Sequence, residues 1–107
     1  MKLFEEALAY AERGSRMSPD SRKGKYALGL ALARVPSRVN KAYALLEEVQ
    51  FDFLDAMLPI ANILLQRGEY ERSRDVTWRY LHMSRAPQVA WANRLLAQAA
   101  AGRFSPE

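Results

Sequence analysis

The triplet Gly68-Glu69-Tyr70 recurs further along the chain as Gly102-Arg103-Phe104, and each copy follows an apolar segment with helical spacing. A fixed period of about 34 residues is typical of proteins assembled from repeated helix-turn-helix units. One such unit cannot bury its apolar face alone, so neighbouring units stack and share a continuous core. The period therefore predicts an all-α array, a class of architecture that commonly binds other proteins.

Length and composition are those of one globular domain. The chain has 107 residues, of which 50% are apolar and 26% charged, and its formal net charge of +4 comes from 16 basic and 12 acidic residues. The N-terminus lacks the apolar core of a signal peptide, and no apolar run is long enough to span a bilayer. Without cysteine there is no disulfide framework. We expect a cytoplasmic protein in which this segment does not insert into a membrane.

Six helical segments follow from the spacing of apolar residues and from the positions of Gly and Pro. Ser18 or Asp20 is expected to cap the second segment. Pro59 would break a helix that began at Asp52, so the fourth segment is expected to begin near Asp55, where Pro59 falls in the first turn. The six segments are residues 2–13, 20–35, 37–50, 55–68, 70–84 and 87–101.

Each segment has an apolar stripe that is expected to face the core. Glu47 and Glu48 are expected to face outward from the third segment. The stripes that matter below are Val39, Ala42, Tyr43, Leu46 and Val49 in the third segment, Ser73, Val76, Thr77, Tyr80 and Met83 in the fifth, and Val89, Ala92, Leu95, Leu96 and Ala99 in the sixth.

With these residues the chain resembles the tetratricopeptide-repeat family. Trp91 precedes Gly102 by the same interval by which Met57 precedes Gly68, at the place where that family has an aromatic residue in its first helix. Ala7, Pro19 and the pair Leu28-Gly29 are also spaced as the family spaces its alanine, proline and Leu-Gly. The resemblance implies a right-handed superhelical array in which small residues allow paired helices to approach closely, and in which the aromatic residue after each glycine fills the space under the turn.

The sequence departs from this pattern in two places. Ile60-Ala61 replaces Leu-Gly in the second repeat, and Ser73 stands where alanine is usual. Residues 35–42 lack the Gly-aromatic turn and are closer to the related Sel1-type repeat, with its Val-Pro segment before Lys-Ala. The resemblance therefore indicates the superfamily more firmly than the subfamily.

The repeat register divides the chain into a half repeat (1–18), two repeats (19–53 and 54–87) and a terminal helix (88–107). The chain thus begins with a second helix and ends with a first helix, and residues 95–101 do not form the polar cap that protects the end of a solenoid. We expect that the chain is part of a longer protein, or that its end helices pack on another subunit, as in a homo-oligomer.

The resemblance places a partner-binding surface on the concave face, which the first helix of each repeat lines. A groove of apolar side chains and two amides there suits a helix or an extended peptide of another protein. A clamp for a terminal carboxylate is not expected, because Leu58 stands where the clamp would need lysine. The expected contact residues are Tyr26, Leu30, Arg34, Leu58, Asn62, Leu65, Gln66, Val89, Asn93 and Leu96.

Other chemistry has less support in the sequence. A zinc site needs several His or Cys ligands, and the chain has one His and no Cys. Acidic pairs such as Glu47 and Glu48 have no nucleophile or phosphate-binding loop beside them, so no catalytic, cofactor or metal residues are assigned. Stacking of bases on aromatic residues is not favoured, because Tyr80 and Trp91 fall on core-facing stripes. Trp78 lies off these stripes and is expected to be partly exposed.

These observations favour a scaffold or adaptor module that binds another protein, with a bacterial assembly or secretion complex as its setting by analogy. A small free-standing secretion chaperone is the alternative. An RNA-binding domain or an enzyme is less favoured.

Overall fold

A computed structural model describes residues 21–103, which form helices and turns without a β-strand. The expected helix at 2–13, the cap expected for the second segment at Ser18 or Asp20, and Phe104 of the second triplet lie outside the described residues. The described part of the chain belongs to two compact units, of which one ends at Ala56 and the other begins at Met57.

The first unit contains α1 (Arg22–Leu32) and α2 (Val39–Val49), which pack against each other. The Ser21 hydroxyl caps α1 by accepting a hydrogen bond from the Gly24 amide at 3.1 Å. Helix α1 ends at Leu32, three residues before the end predicted for the segment 20–35. The helix cannot continue to Val35, because the residue before a proline is forced out of the helical region. Val35 accordingly has φ −109° and ψ 107°, and a 3₁₀ turn, Pro36–Arg38, leads into α2.

Close packing of α1 on α2 depends on Gly29. A Cβ atom at this position would lie 2.9 Å from the side chain of Leu46, which is fully buried. The expected stripe of α2 is confirmed at Ala42, Leu46 and Val49, and Val39 and Tyr43 flank it half-buried. Glu47 and Glu48 are exposed as expected.

Ion pairs link the start of α1 to the end of α2. Arg22 pairs with Asp52 and also donates from Nη2 to the Glu48 carbonyl at 3.0 Å. Lys25 Nζ lies 2.7 Å from Glu48 Oε1. The hydrogen bond and positive charge of Lys25, helped by the charge of Arg22 and opposed by slight desolvation, lower the pKa of Glu48. These pairs are exposed, so their contribution to stability is small.

The second unit contains α3 (Met57–Gln66), α4 (Tyr70–Met83) and α5 (Val89–Arg103). Helix α4 packs against both α3 and α5, and α3 also contacts α5. A 3₁₀ turn, Leu54–Ala56, ends the first unit just before α3. The late start of the fourth segment is confirmed: Pro59 is the third residue of α3, where its missing amide hydrogen costs little.

Gly68 ends α3 in the way the first triplet predicts. Its φ of +79° lies in the left-handed region, which residues with a Cβ avoid. The Glu69 amide donates to the Leu64 carbonyl at 2.9 Å, and the Gly68 amide donates to the Leu65 carbonyl at 3.0 Å. This pair of hydrogen bonds is a Schellman motif, and it satisfies carbonyl groups at the end of α3.

Gly102 does not form the matching turn that the repeat predicts. Helix α5 continues through it to Arg103, and among the described glycines a positive φ occurs at Gly68 alone. Gly102 instead gives room to the aromatic residue of the first triplet: a Cβ atom there would lie 2.3 Å from Cε1 of Tyr70. The two glycines share a sequence context but serve different physical needs.

The buried stripes of α4 and α5 are confirmed in the middle of each helix and wrong at the ends. On α4, the fully buried residues are Ser73, Thr77 and Tyr80. On α5, at most 3% of the surface is exposed at Ala92, Leu95 and Ala99. Met83, the last residue of α4, and Val89, the first residue of α5, are exposed because they lie beyond the ends of these stripes. The prediction that Trp91 faces the core is wrong: it is 40% exposed, because it precedes the buried residue Ala92 by one position and therefore points about 100° away from it around the helix.

Three buried hydroxyl groups on α4 are hydrogen-bonded, and two of these bonds reach outside the helix. Ser73 Oγ donates to the Ala61 carbonyl of α3 at 2.8 Å, and Thr77 Oγ1 donates to the Ser73 carbonyl, also at 2.8 Å. The Tyr80 hydroxyl accepts from the Gln88 amide at 2.6 Å, which ties α4 to the residue before α5.

Between residues 21 and 103, no helix has both the length and the apolar character needed to cross a membrane.

Candidate protein-interaction groove

Helix α4 presents a second stripe, which lies about 100° around the helix from the stripe that carries its buried hydroxyl groups. Tyr70, Arg74 and Trp78 follow one another at intervals of four residues, so they lie along one side of the helix. Tyr70 and Arg74 are half-buried, whereas Trp78 is 48% exposed. The expectation that Trp78 is partly exposed is confirmed.

This stripe and the neighbouring side of α5 form an open groove, which we call the α4–α5 groove. It has a volume of about 190 Å³, below the roughly 300–1,000 Å³ typical of sites for small molecules. A site of this size suits a few side chains of a larger partner better than a cofactor. The groove is lined by Tyr70, Arg74, Trp78, Leu96, Ala99, Ala100 and Arg103.

The floor of the groove is apolar because α5 contributes mainly small and aliphatic residues there. Leu96 and Ala100 are four residues apart on α5, and Ala99 closes the groove toward the core. On the α4 side, the Trp78 ring lies at 59° to the ring of His82, with 6.3 Å between centroids. His82 Nδ1 lies 2.8 Å from the Trp78 carbonyl, which keeps the imidazole beside this turn.

An arginine from each helix gives the groove a positive charge. Arg74 Nη2 lies 3.4 Å from Asp75 Oδ1, and Arg103 Nη2 lies 3.5 Å from Glu71 Oε1. Both contacts are long and solvent-exposed, so each contributes little to stability. The groove thus combines apolar contact area with two cations at its borders.

The region around the groove has a net positive charge, because residues 69–103 contain six arginines and three acidic residues, of which Glu71 and Asp75 contact the groove arginines. Residues 76–103, which cover the second half of α4 and all of α5, contain four arginines and no acidic residue. Since the field of several like charges adds over this distance, the surface attracts negatively charged partners.

A more open depression adjoins the groove at the Gly68 turn. Its volume is about 590 Å³, and Tyr70 and Arg103 line both features. Glu69 and Arg72 form an ion pair of 2.7 Å on its border. It is wide and open and has a mixed polar and apolar lining, so it extends the groove without adding an enclosed apolar pocket.

The residues of the first unit that the resemblance predicts for a concave face are partly accessible. Tyr26 is half-buried and stacks on Phe53, with ring centroids 4.6 Å apart and an angle of 2° between the rings. Leu30 is half-buried, and Arg34 is exposed. Tyr26 therefore already uses one ring face within its own unit.

On α3, the prediction of a partner contact at Leu58 is wrong, because its side chain is fully buried. The residue lies among Met57, Pro59 and Ile60, which are all buried too, so this part of α3 belongs to the core. The other residues predicted on α3 are more accessible: Asn62 and Leu65 are half-buried and Gln66 is exposed.

On α5, the three predicted residues follow one side of the helix. Val89, Asn93, Leu96 and then Ala100 are spaced by four, three and four residues, which is the spacing of a single helical stripe. Leu96 and Ala100 line the α4–α5 groove, and Val89 and Asn93 continue its side toward the start of α5. The predicted residues Trp78 and Leu96 thus meet in one feature.

Sequence reasoning misses Tyr70, Arg74 and Arg103 as lining residues. The family resemblance predicts only that Tyr70 fills space under the Gly68 turn, and nothing in it distinguishes the two arginines from ordinary surface charge. Two signals are present in the sequence: the four-residue spacing that leads to Trp78, and the absence of acidic residues from 76 to 103.

Among the described residues, no three His, Cys, Asp or Glu side chains cluster as a metal site would require. Comparison of the chain with protein-family models, curated proteins and solved structures finds no match in any of the three.

Proposed function

We propose that this chain is a protein–protein interaction module that holds a segment of another protein in the α4–α5 groove. The observation that carries the proposal is the exposed Trp78 ring beside an apolar groove floor formed by Leu96, Ala99 and Ala100. Exposed tryptophan and arginine residues next to an apolar pocket are enriched among the residues that dominate binding energy at interfaces.

The position of the groove supports this role. Its walls are two helices that are anchored in the core by the buried residues Ser73, Thr77 and Tyr80 on α4 and Leu95 on α5. A preformed site on packed helices loses little conformational entropy when it binds, so a small contact area can still give a specific interaction.

We also propose that the helices belong to a tetratricopeptide-like superhelical array. Two close approaches between consecutive helices support this architecture: Gly29 against Leu46 in the first unit, and the Ser73–Ala61 hydrogen bond in the second. Both involve the small-residue positions that the family uses for the same purpose.

A pull-down from a lysate of the native organism tests the function, with wild type, Trp78→Ala and Trp91→Ala as baits. Trp91 is the matched control because it is exposed to a similar extent but does not line the groove. We expect a partner protein that wild type and Trp91→Ala recover and Trp78→Ala loses. Equal recovery by all three baits would exclude the groove as the site.

A further inference from the structure

We propose that the segment bound in the α4–α5 groove is acidic and amphipathic: an apolar side chain enters between Trp78 and Leu96, and carboxylates pair with Arg74 and Arg103. This inference rests on the proposed function and adds the chemistry of the partner. It follows from what lines the groove, from its volume and from the charge of the surface around it.

The size of the groove determines how much of the partner enters. About 190 Å³ between Trp78 on one helix and Leu96 and Ala100 on the other leaves room for a few side chains, and none for a whole helix. A partner would therefore lie along the groove and insert one side, as an amphipathic segment does with residues spaced by three or four.

The charge of the groove determines what flanks the inserted side chain. Arg74 and Arg103 stand on opposite helices at the borders of the apolar floor. Their present carboxylate contacts, at 3.4 and 3.5 Å, are solvent-exposed and longer than a good ion pair. Because residues 69–103 contain six arginines against three acidic residues, the region has a net positive charge, and a negatively charged segment is favoured over a neutral or basic one.

The same features favour a protein segment over single-stranded RNA. A nucleic-acid site combines a track of cations along the phosphate backbone with aromatic platforms on which successive bases stack. Here the floor between the two arginines is aliphatic, formed by Leu96, Ala99 and Ala100. Two aromatic residues line the groove, and Trp78 is the exposed one, because Tyr70 is half-buried with its ring against Gly102.

Selection from a phage library of random dodecapeptides tests the inference, because the partner does not need to be known in advance. Peptides are selected on the wild-type chain after removal of those that also bind Trp78→Ala. We expect the remaining peptides to have net negative charge and at least one large apolar residue. Synthetic copies are then measured by fluorescence polarisation, and Trp78→Ala should weaken binding by at least about tenfold.

Charge-matched variants separate local contact from overall charge. Arg74→Glu should weaken binding of the selected peptides by about tenfold or more, with a loss that shrinks at high salt. Arg79→Glu changes the net charge equally on the same helix but lies outside the groove, and it should have an effect of no more than about threefold. Equal effects of the two variants would overturn the proposed contact at Arg74.

A second pair of variants keeps the test valid if loss of the Trp78 ring disturbs folding. Ala100→Glu places a carboxylate in the groove, whereas Ala97→Glu places one on a side of α5 that does not line it. We expect Ala100→Glu to abolish binding of the acidic peptides and Ala97→Glu to retain it. Retention by both variants would contradict the assigned site.

The remaining outcomes distinguish the failure of this inference from failure of the proposed function. Trp78-dependent peptides that are neutral or basic would overturn the acidic partner and leave the interaction groove intact. Absence of any Trp78-dependent peptide would overturn both. A labelled single-stranded RNA of mixed sequence that binds wild type and not Trp78→Ala would replace the protein segment by nucleic acid and so overturn the inference.

Discussion

The two triplet glycines should respond differently to the same substitution, because one is needed for its backbone conformation and the other for space. At Gly68 a Cβ atom would meet no heavy atom within 4 Å, so Gly68→Ala brings no steric clash with the rest of the molecule. What remains is the cost of holding alanine at φ +79°. We expect a loss of about 1–2 kcal/mol in the free energy of unfolding, and a smaller loss for Gly68→Asn.

At Gly102 the balance is different. The residue is helical, so alanine gains up to about 1 kcal/mol of helix propensity. Its Cβ atom, however, would lie 2.3–2.7 Å from three ring atoms of Tyr70, and the ring must turn aside. We expect the two effects to cancel approximately in the wild-type background. In a Tyr70→Ala background the clash is absent, and Gly102→Ala should stabilise the unit by up to about 1 kcal/mol.

Urea denaturation followed by tryptophan fluorescence measures these effects in the right part of the molecule. Both tryptophans of the chain, Trp78 and Trp91, belong to the second unit, as do Gly68 and Gly102. The change in midpoint at constant slope gives the change in the free energy of unfolding. An unchanged free energy of unfolding in Gly68→Ala would refute the left-handed turn. An effect of Gly102→Ala that is the same in the wild-type and Tyr70→Ala backgrounds would refute the close contact.

Two further predictions concern single interactions. Tyr80→Phe removes the acceptor of the Gln88 amide and should lower the free energy of unfolding by about 1 kcal/mol, with faster hydrogen exchange at Gln88; unchanged exchange would contradict this hydrogen bond. Lys25→Met should raise the pKa of Glu48 toward its ordinary value in an NMR titration, because Lys25 is the main cause of its lowering. Since the folded-state pKa is lowered, the stabilisation by this pair is present above the ordinary glutamate pKa of about 4.3 and is lost as the pH falls through the lower folded value. If the pKa of Glu48 is the same in Lys25→Met as in the wild type, Lys25 is not the cause of its lowering.

The sequence predicts well those features that local chemistry decides. Pro59 sets the start of α3, Pro36 sets the boundary before α2, and Gly68 ends α3, each because of a restriction on a few backbone angles. Gly102 shows the limit of this reasoning: its triplet copies that of Gly68, but its role depends on Tyr70, which belongs to a different helix. A contact between distant residues leaves no local pattern to read.

The candidate site shows the same division. The exposure of Trp78 follows from its place off the buried stripe, whereas family spacing assigns Trp91 to the core and the residue is exposed. The same analogy assigns Leu58 to the surface, and the residue is buried. Which side of a helix is covered depends on how its neighbours pack, and that packing joins Trp78 to Leu96 from another helix.

The emission of Trp78 itself gives the most direct test of the central claim, that partners bind in the α4–α5 groove. In a Trp91→Phe variant, Trp78 is the one remaining tryptophan. In a Trp78→Phe variant, the one remaining tryptophan is Trp91. A partner peptide selected on the wild-type chain should shift the emission of Trp78 in a saturable way, with the Kd found by polarisation, and leave that of Trp91 unchanged. A response from Trp91 with none from Trp78 would place binding elsewhere and contradict the account.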